Sequence, residues 1–249
     1  MRTSRYYDGQ ALNEPRKEAW GKRRKEHNIV KYLLLKYALH KKQCHRIVDL
    51  ACGKGGDLNK YETLCPLARL TAVDASANSL DVFRKRATGC NVTIDDVIHQ
   101  DAALARLQSA TYDLAVVNFA LHYFCDTETH LNQLLANISG CLVPGGLFMG
   151  TCIDYRMLKH ENNNIEAAPG ILHDINAKPW GRSYRYKLQG CVDADEYVVY
   201  FPRIVSIAHS LNMHLVKIQS FNGFLFANGE MPQTPQDNSP YMVFVFVHS

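Results

Sequence analysis

The sequence predicts an α/β fold: an open, mostly parallel sheet with helices on both faces, an antiparallel C-terminal edge strand and a segment inserted ahead of that edge. Three observations predict it. Short apolar runs alternate with amphipathic stretches between residues 46 and 152, the pattern of successive right-handed βαβ units. The first run passes into a glycine-rich turn, CGKGGD, of the kind that joins a buried strand to a helix. Beyond residue 155 the alternation stops, and two late apolar runs follow polar, Tyr-rich sequence.

The elements follow in order. The chain is polar and basic to about Asn28, and Ile29 to Leu39 reads as a helix with Ile29, Tyr32, Leu33, Leu35 and Tyr37 on its apolar face. IVDLA (47–51) is the first strand, RLTAVD (69–74) the second and DVIHQD (96–101) the third. A fourth lies within YDLAVVNFAL (112–121) and a fifth in GLFMGTC (146–152). SANSLDVFRKRA and THLNQLLANISGCL are helices, and VPGG (143–146) stops the second of them. Residues 155–200 form an inserted lid that contains SYRYKLQGCVDADEYVVYF, and strands around HLVKIQS and YMVFVFV close the sheet. The loop FNGFLFANGEMPQTPQDNSP joins those two strands. The 249 residues read as one domain, with a basic segment at 1–28 and the lid at 155–200.

Composition narrows the class. Hydrophobic residues are 47% and charged residues 21% of the chain, values ordinary for a globular protein in water. No run approaches the ~20 apolar residues of a membrane helix, and MRTSRYYDGQ lacks the apolar core of a secretory signal. No membrane association is expected. The eight cysteines are scattered singly with no CxxC pair, which predicts free thiols, no disulfide framework and no metal site. The net charge of +4 hides an asymmetry: residues 1–60 hold 15 Lys and Arg against 6 Asp and Glu. A basic quarter of this kind suits a polyanionic partner, although KRRKEH also fits a solvated helix face.

The glycine turn is the strongest local signal. Its order is Gly53–Lys54–Gly55–Gly56–Asp57, which departs from the dinucleotide pattern G-x-G-x-x-G. Glycines let the backbone approach a ligand closely, and the helix that follows offers free N–H groups. A carboxylate at Asp57 repels a pyrophosphate and suits a cationic amino group. Asp74 closes the second strand, where a carboxylate can accept from both hydroxyls of a ribose. Asp101 closes the third, where an acid can accept from the exocyclic amine of adenine. Any one of these acids alone is more often a cap or turn residue. Together, after a glycine turn, they point to a nucleoside with a free ribose diol and an amino-acid end, S-adenosylmethionine, with NAD disfavoured. No Ser/His/Asp or Cys/His arrangement suggests nucleophilic catalysis, and alkylation by a sulfonium needs mainly proximity and alignment.

Three further segments, NFALHYFCDT, LACGKGGDLNK and GCVDADEYVVYFP, resemble the eukaryotic and viral mRNA cap guanine-N7 methyltransferases. The resemblance runs nearly end to end, from YYDGQALNEPRKEA to YMVFVFV. It implies a Rossmann-like, seven-stranded class I methyltransferase sheet. It implies transfer of a methyl group from S-adenosyl-L-methionine to N7 of the guanosine that caps mRNA, by direct in-line attack without a protein general base. Lys31, Gly53, Asp57, Asp74, Asp101, Asn118 and Tyr123 would line the donor pocket. Phe119, His122, Tyr123, Glu196 and Tyr241 would surround the cap guanine, with Asn28 or His27 nearby, and Lys60 and Arg86 would meet the triphosphate. The partners implied are capped RNA and other capping enzymes, fused or in trans. The place implied is the nucleus, or the cytoplasm for a viral form.

The residue types fit that chemistry. Aromatic walls stack a purine, more strongly once it is cationic, and a carboxylate such as Glu196 accepts from both N1–H and N2–H of guanine. Three departures stand out: Ala51 replaces a usual glycine, Asn118 a frequent glutamine, and Asp8 the asparagine of the opening motif. The loop before the last strand is short for the family and the sequence carries no long N-terminal extension, which is expected of either a catalytic domain of a larger capping enzyme or a compact protist or viral form. Two alternatives stay open: a methyltransferase for another RNA position or a small molecule, and a non-catalytic subunit of a capping complex. The first has no use for Glu196 beside Tyr241. The second would ordinarily lose the glycine turn or its acids, and Gly53, Asp57, Asp74 and Asp101 are all present.

Overall fold

The computed structural model describes residues 18–158, 164–165, 180–188, 192–231 and 239–249. The opening motif with Asp8 and residues 159–163, 166–179 and 189–191 of the inserted segment, Cys191 among them, lie outside the described residues. The chain runs α1 (Glu18–Lys41), β1 (Arg46–Leu50), α2 (Leu58–Leu64), β2 (Arg69–Asp74), α3 (Ala77–Ala87), β3 (Thr93–His99) and β4 (Tyr112–Asn118). A 3-10 turn at Leu121–Phe124 leads to α4 (Glu128–Cys141) and β5 (Leu142–Ile153). Then come β6 (Asn164–Ile165), β7 (Ser183–Leu188), β8 (Val192–Tyr197), α5 (Phe201–Ser210), β9 (Met213–Ser220), α6 (Phe221–Ala227) and β10 (Tyr241–His248).

Seven strands form the main sheet in the order β3-β2-β1-β4-β5-β10-β9. Strands β1 to β5 are parallel, and β10 runs antiparallel to both β5 and β9. The antiparallel C-terminal strand therefore sits one place in from its edge, and β9 is the rim. The strand order reverses between β1 and β4, which opens a crevice at the carboxyl ends of the parallel strands.

Period-two alternation builds the two faces. Ile47, Leu114, Val116, Val243 and Val245 join one core with Val30 and Leu34 of α1, Leu58 of α2, Phe83 of α3 and Phe221 of α6. Val48, Leu50, Ala115, Val117, Phe244 and Phe246 join the other core with Leu131, Leu135 and Ile138 of α4 and Ile204 of α5. Helices thus cover both faces, as the sequence predicts. In β5, between β4 and β10, Gly150 is obligatory: a Cβ there would lie 2.0 Å from the Val117 carbonyl oxygen of β4.

Several boundaries differ from the sequence reading. The first helix extends back to Glu18 at least, so the basic stretch KRRKEH is helical and continuous with the apolar face. Strand β3 stops at His99, leaving Asp101 in the following turn. The segment FNGFLFA, read as loop, is α6, capped by Ser220, which accepts from the Gly223 N–H. The inserted segment carries a separate three-stranded sheet, β6-β7-β8, in which β7 and β8 pair antiparallel with Tyr184 opposite Glu196.

Candidate active site

The glycine turn leaves β1 through two left-handed residues, Ala51 at φ 58° and Gly53 at φ 55°. Ala51 occupies a conformation that a Cβ disfavours by about 1–2 kcal/mol, which explains why the glycine it replaces is usual there. Gly55, at φ 72°, brings the backbone so close to α2 and α3 that an added Cβ would meet Leu58 Cδ1 at 2.8 Å and Phe83 Cδ2 at 2.9 Å. A Cβ at Gly53 would meet nothing within 4 Å, so that part of the turn opens toward the crevice.

Asp74 fixes this turn. Its Oδ2 accepts from the Gly53 N–H at 2.7 Å and its Oδ1 from the Ser76 N–H at 2.8 Å. Asp57 anchors the other end. Lys31 Nζ lies 2.6 Å and Lys60 Nζ 2.8 Å from its Oδ1, and Asn118 Nδ2 donates to Oδ2 at 3.1 Å. Burial alone would raise the Asp57 carboxyl, but the two ammonium groups hold it at about 2. One carboxylate between two lysines leaves a net positive cluster, which suits a zwitterion better than a lone ammonium. Asp49, behind the turn, is buried too, and burial with the charge of Asp57 pushes its carboxyl up to about 8.

A second cluster adjoins the first through Lys31, whose Nζ sits 5.9 Å from the Phe119 ring centroid. Phe119 follows β4 at φ 53° and is held there by its N–H, which donates to Thr151 O at 2.9 Å and Thr151 Oγ1 at 3.1 Å. Its ring stacks on His27 of α1 at 4.7 Å and meets Tyr241 of β10 edge-on at 5.1 Å. Phe221 of α6 closes the box, 5.4 Å from Tyr241 and 5.9 Å from Phe119.

The small sheet contributes the carboxylate. Glu196 is 5% exposed, its Oε2 accepts from Tyr184 Oη at 2.7 Å, and its Oε1 lies 3.5 Å from His122 Nε2. His122 is itself buried, and burial holds its imidazole below the ordinary range against the opposing pull of Glu196. The ring is therefore neutral at neutral pH. Tyr123 packs edge-on against it at 3.8 Å. Tyr186 and Tyr241 share a hydrogen bond between their hydroxyls, which ties the small sheet to β10.

Most residues singled out in the sequence converge here. Lys31, Gly53, Asp57, Asp74 and Asn118 form one contiguous half, and Phe119, His122, Tyr123, Glu196 and Tyr241 the other. Asn28 and Lys60 join the first half, since Lys60 Nζ donates to Asn28 Oδ1 at 2.8 Å as well as pairing with Asp57. Arg86 donates to the Lys54 carbonyl at 2.8 Å and braces the turn. Asp101 lies beyond β3, where it accepts from the Ala103 N–H at 2.9 Å and contacts His130. Sequence reading missed Phe221, Tyr184, Tyr186 and His130. Tyr184 and Tyr186 alternate in SYRYKL, a strand signal; Phe221 and His130 leave no local mark.

Comparison with known proteins places the chain. The profile of the mRNA (guanine-N(7))-methyltransferase domain matches residues 10–238. A rice protein named mRNA cap guanine-N(7) methyltransferase 1 is 29% identical over 241 residues, covering 84% of this chain and 63% of its own length. The Saccharomyces cerevisiae protein of that name without the numeral is 27% identical, covering 89% of this chain and 57% of its own length. The chain thus spans about three fifths of these relatives. Two solved structures share the fold. An S-adenosylmethionine-dependent methyltransferase from Mesorhizobium loti has a TM-score of 0.61 at 17% identity, over 88% of this chain and 98% of that one. A Burkholderia thailandensis 1,6-didemethyltoxoflavin-N1-methyltransferase has a TM-score of 0.56 at 16% identity, over 99% of this chain and 85% of that one. The match over nearly the whole sequence shows that the chain belongs to the mRNA (guanine-N7)-methyltransferase family.

Proposed function

We propose that this chain transfers a methyl group from S-adenosyl-L-methionine to N7 of the guanosine that caps mRNA. The observation that carries the reading is a buried carboxylate, Glu196, on the small sheet that Tyr186 ties to Tyr241, a member of the aromatic box with Phe119, His27 and Phe221. The box adjoins the glycine turn through Lys31.

The donor half fits its ligand by chemistry. The Gly53 backbone opens toward the crevice. Asp57 with Lys31 and Lys60 offers one acceptor and two cations to an amino-acid zwitterion. The Asp74 carboxylate has enough lone pairs to hold the turn and take a ribose diol. When bound, S-adenosylmethionine supplies an electrophilic methyl carbon on a sulfonium.

The acceptor half orients its partner. The aromatic box stacks the purine, and Glu196 accepts from guanine N1–H and N2–H, a donor pair that adenine lacks. N7 carries a free lone pair, so no base need remove a proton before it attacks. As positive charge develops on the purine, Glu196 and the ring faces stabilise it, which favours the transition state over the ground state. Burial keeps His122 neutral, so it adds no repulsive charge. Tyr184 holds Glu196 in place through its 2.7 Å hydrogen bond.

Capped RNA is the proposed partner, met by the basic N-terminal quarter, and the nucleus is the proposed site of action. No helix among the described residues is long and apolar enough to cross a membrane. The test is transfer of labelled methyl to RNA ending in Gppp compared with the same RNA ending in a bare triphosphate. Transfer that requires the capping guanosine supports the proposal, and equal transfer to both RNAs overturns it.

A further inference from the structure

His130 lies on α4 outside the residues used so far. Both nitrogens of its ring face carboxylates. Nδ1 is 2.7 Å from Asp126 Oδ1, and Nε2 is 3.3 Å from each oxygen of Asp101. A neutral imidazole carries one N–H and one lone pair. Either tautomer would leave a lone pair pointing at a carboxylate, so only the doubly protonated ring satisfies both contacts. The two acids together raise the His130 pKa, the Asp101 hydrogen bond most, while partial burial opposes them. Among the described residues, the ring of Phe124 packs against it, 5.2 Å away and uncharged.

Asp101 has one more fixed contact, the Ala103 N–H at 2.9 Å on Oδ1. That bond holds one oxygen, and His130, in contact with both, fixes the plane of the carboxylate. We infer that His130 is a positioning residue of the donor site: its doubly protonated ring clamps the Asp101 carboxylate toward the exocyclic amine of bound adenosine, which makes donor binding depend on pH. The inference rests on Asp101 as the adenine acceptor. Asp126 forms the outer arm of the clamp: it holds the far side of the ring and supplies the second negative charge that keeps it protonated. As pH rises through the His130 titration the ring loses one proton, one of its two carboxylate contacts is lost, and adenine recognition loosens. Below that titration the clamp is complete.

The test uses the product, S-adenosylhomocysteine, and its inosine counterpart, in which an oxo group replaces the adenine amine. The two share an amino-acid end, so their affinity ratio cancels titrations there. Calorimetry between pH 6 and pH 8.5 should show the wild-type preference for the adenosine compound falling by about tenfold, the order of one charge-assisted hydrogen bond. His130→Gln has one donor group where two are required, so its preference should be lower by about fivefold to tenfold at pH 6 and flat with pH. Asp126→Asn keeps the ring but removes a charge, and should move the midpoint to lower pH, with the same shift in an NMR titration of His130. Wild-type preference and pH profile in both variants would overturn the clamp while leaving Asp101 as adenine reader. A wild type that binds both compounds equally would instead overturn the Asp101 assignment, and the clamp with it.

Discussion

On the proposed reading, Glu196→Gln should impair acceptor recognition and spare donor binding. Glu196 is 5% exposed, with Tyr184 Oη at 2.7 Å on one oxygen and a neutral His122 at 3.5 Å from the other. The amide keeps the shape, and its carbonyl oxygen still accepts from Tyr184. Its NH2 group would then stand where the proposed reading has the second carboxylate oxygen meet a guanine donor, so two donors would face each other. The negative charge that offsets the cationic purine is lost as well. A hydrogen bond to a charged group contributes about 1.5–3 kcal/mol, and a buried donor left unpaired costs about 1–3 kcal/mol. These overlap, so the combined loss is about 3–4 kcal/mol, or roughly 10²–10³ in kcat/KM for GpppRNA. Affinity for S-adenosylhomocysteine should stay at the wild-type value, because Glu196 touches none of Asp57, Asp74 or Lys31. Steady-state methyl transfer with GpppRNA, paired with calorimetry, measures both quantities. Full activity in the Gln variant, or a loss confined to donor affinity, would refute the reasoning.

Three other substitutions probe separate parts of the site. Asp74→Ala should weaken S-adenosylhomocysteine binding by ~2–4 kcal/mol and also lower Tm, because Asp74 accepts from the backbone of Gly53 and Ser76; unchanged affinity in calorimetry would remove it from the donor site. Asp49→Asn should raise Tm more at pH 8 than at pH 5. The Asp49 carboxyl, with an ordinary value of 3.8, is pushed up to about 8 by burial and by Asp57, so the folded protein retains a proton that the unfolded chain releases. Wild-type stability then falls as pH climbs through that window, and the amide escapes the fall; a Tm gain independent of pH would contradict this. Thr151→Val removes the Oγ1 that holds the Phe119 N–H at φ 53°, and should cost about 1 kcal/mol in denaturant unfolding and raise KM for the capped RNA. Wild-type values in both measurements would contradict the role given to Thr151.

Much of the donor half is legible because it is local. VDLACGKGGD carries strand, turn and acid within ten residues, and Asp74 ends a strand recognisable from its own apolar run. The pairing of Asp57 with two lysines is not legible, since Lys31 arrives from α1 and only packing of Val30 and Leu34 against the sheet brings it there. That pairing changes the expected logic, from a lone carboxylate awaiting an ammonium to a cationic cluster suited to a zwitterion. The acceptor half depends even more on tertiary structure. His27, Phe221 and Tyr241 come from three elements and Phe119 from the turn after β4, and FNGFLFA reads as loop because its glycine and asparagine mask a seven-residue helix. The sequence pattern places Asp101 at a strand end, but β3 stops two residues earlier, where the chain turns to meet His130.

The central claim is the atom that receives the methyl group. GpppRNA should be incubated with methyl-labelled S-adenosylmethionine, digested to nucleosides and cap dinucleotides, and the labelled product identified against 7-methylguanosine. The account predicts label in 7-methylguanosine from the cap alone, with ApppRNA almost unlabelled, because adenine presents an acceptor at N1 and would leave buried Glu196 unpaired. Label on an internal nucleotide or a ribose, or equal labelling of GpppRNA and ApppRNA, would contradict it.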